Sequence, residues 1–294
     1  MRNRIIPAAL AVLLSVCGCA KPEPPKETLV KTVTIGGTEM DYLHFGNENG
    51  EKLVILPGLA LKSVTGSAEG IVFAYALLAK DYDVYLFDHI KEEPDGYTVA
   101  DMARDTLAVF DTLGLTRVHL MGVSMGGMVA QRIAIDVPER VTSLILCSTA
   151  MNMTHSNREA FANWISFAEA RNTPALMESF GETVYTPSFY AQYKDAIIAS
   201  GEGAAERDFS NFLISVNAVL SFDVSDEIQK IACPVLVLGA EEDWALGVQA
   251  SYDLAHALRC ESYIYEGYGH AVYDEAPDFL DRIAAFLKGA VRQP

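Results

Sequence analysis

Residues 117–130 read Arg117-Val118-His119-Leu120-Met121-Gly122-Val123-Ser124-Met125-Gly126-Gly127-Met128-Val129-Ala130. A short apolar strand runs straight through Gly122-Val123-Ser124-Met125-Gly126 into a helix of small residues. A chain that turns this sharply from strand to helix needs positions without bulk, because a Cβ on Gly122 or Gly126 would press on the adjoining strand and helix. Gly127 and Ala130 let that helix lie close to a sheet. The turn pushes the Ser124 hydroxyl out above the sheet edge and aims the helix N-terminus at any charge that develops beside it. This is the G-x-S-x-G pattern in the strand–turn–helix context it requires. The competing reading is a Gly-rich turn whose serine merely caps a helix, and the rest of the chain decides between the two.

The flanking segments predict an alternation of strands and helices. Residues 30–35 and 40–46 form a hairpin across Gly36-Gly37, and Lys52-Leu53-Val54-Ile55-Leu56 is a continuous apolar strand ending in Pro57-Gly58-Leu59-Ala60. A helix over 69–80 leads to the strand 84–87, which closes on Asp88. Thr98 and Asp101 make a capping box for a helix over 99–113, with Gly114 as its stop. After the Ser124 helix comes another buried strand, Val141 to Cys147. From about 150 to 222 the pattern is helical only, with aromatic residues such as Phe161, Trp164 and Phe180 whose default role is packing. Alternation then resumes with a strand at 235–238, a helix near 246–258, a strand at 263–265 and a last helix over 275–288, which Asp274 and Glu275 are expected to start. Such alternation means a mostly parallel α/β sheet with helices on both faces, interrupted by a helical insertion.

The chain has 294 residues with a formal net charge of −17. So acidic a surface argues against nucleic acid and polyanionic ligands, and it leaves a neutral substrate open. No repeat and no metal-type Cys/His cluster is present, and no cofactor is expected. Met1-Arg2-Asn3-Arg4 is a short basic region, and Ile5 to Val16 is an apolar run too short to span a bilayer. Val16-Cys17-Gly18-Cys19-Ala20 follows and resembles a bacterial lipoprotein signal, in which the small Gly18 precedes the lipidated Cys19. The competing reading is an ordinary secretory signal with a stray cysteine. The resemblance implies a signal peptide over 1–18, a Pro-rich tether over 19–27, and a domain attached by lipid to the cell envelope, facing outside the cytoplasm. Cys233 and Cys260 each precede one of two strands expected to be parallel neighbours. A disulfide between them is open, with free thiols the preferred reading.

In open α/β sheets reactive groups gather at the C-terminal ends of the strands. There this sequence offers Pro57-Gly58-Leu59, then Ser124, then Glu241-Glu242-Asp243 after the 235–238 strand, and finally Gly267-Tyr268-Gly269-His270. A serine, an acid and a histidine in that chain order are what a hydrolytic triad on this architecture needs. On these motifs residues 28–290 resemble the α/β-hydrolase fold family. The resemblance implies a core over 28–150 and 223–294, with a helical cap over 151–222 inserted after the sixth strand. It implies Ser124 as nucleophile, His270 as general base and acid, Asp243 as the carboxylate orienting His270, and the backbone N–H groups of Leu59 and Met125 as the oxyanion hole. Two departures stand out: Pro57-Gly58 replaces the His-Gly of many relatives, and His89-Ile90-Lys91 follows Asp88 in place of Arg-Gly. The expected chemistry is hydrolysis of a small neutral carboxylic ester through an acyl-enzyme. The alternatives are an aminopeptidase of the proline iminopeptidase type, using lid acids such as Glu178, Glu182 or Glu206, and a slow-turnover ligand-binding receptor. The oligomeric state is left open.

Overall fold

The computed structural model describes residues 29–290. The segments read as a signal peptide (1–18) and a tether (19–27), with Cys19, lie outside the described residues. Among the described residues, eight strands form one sheet: β1 (Val30–Ile35), β2 (Thr38–Gly46), β3 (Glu51–Leu56), β4 (Tyr82–Ile90), β5 (Val118–Val123), β6 (Val141–Cys147), β7 (Val235–Glu242) and β8 (Glu261–Gly269). Their order is β1-β2-β4-β3-β5-β6-β7-β8. β2 runs antiparallel to β1 and β4, and every other pairing is parallel. All six residues of β5 are buried, His119 among them with Ser143 as its partner, as a strand covered on both faces requires.

The helices are α1 (Ala68–Ala74), α2 (Val99–Leu113), α3 (Met125–Asp136), α4 (Arg158–Glu169), α5 (Thr173–Val184), α6 (Pro187–Ser200), α7 (Glu206–Leu220), α8 (Val248–Leu258), α9 (Val272–Glu275) and α10 (Phe279–Ala290). Two cores result from the pleat. Leu120 and Leu144 face α2, α3 and α8, with Phe110, Met128, Ile133 and Leu254. Their chain neighbours Met121 and Ile145 face the opposite layer, with Leu78 and with Phe279, Ile283 and Leu287 of α10. The α2 capping box is formed as expected: Asp101 N–H donates to Thr98 Oγ1 at 3.2 Å, and Thr98 N–H donates to Asp101 Oδ2 at 2.9 Å.

Two predicted helices are broken. The 69–80 segment is α-helical only to Ala74 and then tightens into a 3₁₀ turn over Tyr75–Lys80. The predicted 275–288 helix is split into α9 and α10 around Pro277, which supplies no N–H to continue the ladder. Glu275 does not serve the last helix. It accepts from Thr186 N–H at 3.0 Å and Thr186 Oγ1 at 2.6 Å. Cys147, Cys233 and Cys260 are free thiols. Burial pushes the thiols of Cys233 and Cys260 up to about 11.

α4 to α7 lie between β6 and β7, and side-chain carboxyls fasten them to the core beyond β4 and beyond β8. Beyond β4, Glu93 N–H donates to Asn211 Oδ1 at 3.1 Å, Asn211 Nδ2 donates to the Lys91 carbonyl at 3.0 Å, and Ser215 Oγ donates to the Glu93 carboxyl at 2.9 Å. Beyond β8, Ala271 N–H donates to the Val184 carbonyl at 2.7 Å, next to the Thr186–Glu275 bonds. Burial raises the carboxyls of Glu93 and Glu275 above their ordinary values. These contacts hold the four helices over the C-terminal ends of the central strands.

Candidate active site

Ser124 sits between β5 and α3 at φ 51° and ψ −119°, outside the conformations an L-residue adopts at ease. Such a conformation costs about 1–3 kcal/mol and persists only where the surroundings fix it. Here Ser124 N–H donates to the Cys147 carbonyl at 2.9 Å, while the Ser124 carbonyl accepts from Gly127 N–H at 2.9 Å and from Thr149 Oγ1 at 2.7 Å. The glycines do what their spacing demands: a Cβ on Gly122 would overlap the Gly126 carbonyl, and one on Gly126 would overlap the carbonyl oxygens of Leu56 and Pro57. The strain thus aims the hydroxyl away from the sheet.

His270 follows directly on β8 and Asp243 directly on β7, strands paired in parallel. His270 Nδ1 lies 2.8 Å from Asp243 Oδ2, with the two residues 4% and 5% exposed. The other oxygen of Asp243, Oδ1, accepts from Ala245 N–H at 3.0 Å and Leu246 N–H at 2.8 Å. Burial by itself would raise the Asp243 carboxyl. The adjacent His270 imidazole and the two backbone N–H groups outweigh it and hold the carboxyl below its ordinary range. An acceptor-only carboxylate at Nδ1 requires a hydrogen there, so the neutral ring presents Nε2 as a base.

Ser124 and His270 line one cleft together with Gly58, Leu59, Ala245 and Leu246. The helical insertion adds Phe161, Trp164, Phe180, Val184 and Val219, and Tyr273 completes the lining. The cleft encloses about 430 Å³ of space, part of it open to solvent, and no Asp, Glu, Lys or Arg is among its lining residues. Phe161 and Phe180 both pack on Trp164 at ring-centroid distances of 4.8 Å. Met125 is fully buried, and as the first residue of α3 its N–H has no partner within the helix. Leu59 lies on the cleft wall.

The remaining candidates fall elsewhere. Glu241 accepts from Gly267 N–H at 3.3 Å. Glu178 is half-buried and pairs with Lys194, Glu206 is exposed and pairs with Arg171, and Glu182 is exposed. His119 bonds Ser143 at 2.8 Å, His44 bonds Asp83 at 2.7 Å and His155 bonds Asp253 at 2.8 Å. Among the described residues no group of three or more His, Cys, Asp or Glu is placed to hold a metal ion. The fastening residues Glu93, Ser215, Asn211 and Thr186 carry no local signature, because their partners lie about 90 to 120 residues away in the chain.

A doubly covered, mostly parallel sheet with Ser124 and His270 in one cleft at the strand ends defines a hydrolase-type α/β protein, and this chain belongs to the α/β hydrolase fold family, whose pattern matches residues 52–277. It is similar to a Pseudomonas savastanoi protein named "Putative carbamate hydrolase RutD", with 28% identity over 244 residues, covering 76% of this chain and 94% of that one. Its fold is similar to that of the enol-lactonase from Burkholderia xenovorans, with 21% identity, a TM-score of 0.75, and coverage of 88% of this chain and 100% of the other. A further likeness is to MGS-M2, an α/β hydrolase from a deep-sea metagenome library, with 18% identity, a TM-score of 0.77, and coverage of 90% and 98%.

Proposed function

We propose that this chain is a serine hydrolase that cleaves a small, neutral carboxylic ester. The observation that carries the reading is the buried Asp243–His270 pair, whose histidine lines one cleft with Ser124. In this reading His270 Nε2 takes the Ser124 proton as the oxygen attacks the acyl carbonyl. The oxyanion is stabilised by the N–H groups of Leu59 and Met125, each such donor typically worth ~3 kcal/mol in the transition state. The imidazolium protonates the leaving alcohol, and water, deprotonated by the same ring, releases the acid and restores the serine.

The lining sets the substrate class. With apolar side chains from the insertion and no charged side chain on its wall, the cleft favours an uncharged acyl group of modest size. The aminopeptidase alternative needs a carboxylate beside the substrate amine, and none of Glu178, Glu182 and Glu206 lines the cleft. Likeness to the RutD relatives supports a second reading, a carbamate, whose carbonyl would meet the same groups. The test is a turnover series on p-nitrophenyl esters of acyl length two to twelve, with an aryl carbamate and a prolyl anilide alongside. The expected outcome is multiple turnover with a maximum at short or medium acyl chains. Preference for the carbamate or the anilide would replace the ester reading, and single-turnover labelling without release would support the receptor.

The reading extends to the N-terminal segment, where Cys19 carries the lipid and holds the enzyme in the cell envelope, facing away from the cytoplasm. Expression in a bacterium fed radiolabelled palmitate is expected to label the chain, and Cys19→Ser is expected to abolish the label and release the protein into the soluble fraction. A wild-type chain without label would overturn the anchor.

A further inference from the structure

His89, the penultimate residue of β4, stands beside the Pro57-Gly58-Leu59 turn with its Nε2 3.3 Å from the Gly58 carbonyl oxygen. A carbonyl oxygen only accepts, so the ring nitrogen facing it carries the hydrogen. The Gly58 carbonyl and the Leu59 N–H belong to one planar trans peptide unit and point in opposite directions. Fixing the oxygen therefore fixes where the N–H points. A hydrogen bond on the carbonyl also polarises the unit and strengthens its N–H as a donor.

The same peptide abuts the reacting serine, since a Cβ on Gly58 would stand 3.1 Å from Ser124 Cβ and 3.8 Å from Ser124 Oγ. His89 itself is not part of the cleft wall. It lines a separate cavity with Pro57, Asp88, Tyr97, Thr106 and Gly126. The acids near it in sequence have donors of their own: Asp88 accepts from the Ser63 hydroxyl and Glu93 from the Ser215 hydroxyl. Pro57 brings no N–H to brace the turn from within.

We propose that His89 is a positioning residue for the reaction: by donating to the Gly58 carbonyl it aims the Leu59 N–H at the oxyanion formed when Ser124 attacks the substrate. The assignment rests on the serine-hydrolase reading above. It gives a role to the histidine that stands directly after Asp88, at one of the places where this chain departs from its relatives.

The test uses His89→Gln and His89→Met, side chains of nearly equal length that differ in the amide donor. Turnover is read on p-nitrophenyl butyrate, and phenylboronic acid, which forms a tetrahedral adduct on a serine oxygen, probes the oxyanion site. His89→Met is expected to lower kcat about tenfold, weaken phenylboronic acid by a similar factor, and leave KM within about twofold of wild type. His89→Gln is expected to recover kcat to within about threefold of wild type. Equal kcat values for the two variants, whether both are wild-type or both impaired, would overturn the proposal, as would a change confined to KM. Ser124→Ala is assayed in parallel. Hydrolysis by that variant above about a hundredth of wild-type kcat defeats the serine-hydrolase reading itself, whereas its loss alongside identical Gln and Met variants defeats only the role of His89.

Discussion

Ser124→Ala is expected to lower kcat on an aryl ester by on the order of 10⁵- to 10⁶-fold and to abolish labelling by a fluorophosphonate, while the protein melts within about a few degrees of wild type. The separation of the two effects follows from where the strain is held. The unusual backbone at Ser124 is fixed by its own N–H and carbonyl, bonded to Cys147, Gly127 and Thr149, and these bonds do not involve the hydroxyl. Alanine keeps the Cβ, so the turn is expected to keep its shape and its close fit beside Gly58. What disappears is the hydroxyl that the proposed mechanism uses as its nucleophile. In the proposed mechanism Leu59, Met125 and the cleft still bind and polarise a carbonyl, so a small residual rate above the uncatalysed one remains expected. A variant that keeps more than about a hundredth of wild-type kcat would mean that another group attacks, and the mechanism would have to be rebuilt.

The parts of this molecule legible in the sequence are those whose cause is local. The capping box at Thr98 and Asp101 fixes the start of α2 through atoms three residues apart, and Gly114 ends it at φ 70°. The turn around Ser124 is written in its glycines, because nothing larger fits between β5, α3 and the end of β3. The parallel pairing of β7 with β8 was legible from the alternation of strands and helices, and it sets Asp243 and His270 side by side. The apolar period on either side of Pro277 hides the break there, although proline alone predicts it. Glu275 was beyond reach for another reason: an acid before a helix reads as a dipole partner, and only the fold brings Thr186 to it from across the chain. His89 is similar. Nothing in its neighbours names Gly58, 31 residues away, as its acceptor.

Asp243→Asn is expected to lower kcat by about 10⁴-fold at neutral pH, more than the loss of a negative charge alone would suggest. The reason lies in the bonds on the two carboxylate oxygens. Oδ1 is held by two donors, the N–H groups of Ala245 and Leu246, and no NH₂ group can take that place. The asparagine oxygen must therefore occupy it, which turns the amide NH₂ toward His270 Nδ1, where Oδ2 now lies at 2.8 Å. Nδ1 then has to accept, the ring hydrogen moves to Nε2, and the nitrogen needed to draw the proton from Ser124 has no free lone pair. Stability carries a second signature. The Asp243 carboxyl is held below its ordinary range in the folded state, so the unfolded chain binds the proton more readily. Stability from that difference is present above the unfolded value and is lost as pH falls through the folded one. Asparagine has no such titration. The gap in melting temperature between wild type and Asp243→Asn is therefore expected to be present above the ordinary carboxylate value of about 4 and to narrow as pH falls below it. A gap that stays constant with pH would show that the carboxylate does not bear the charge assigned to it. A variant retaining wild-type kcat would show that His270 does not depend on Asp243 for its tautomer.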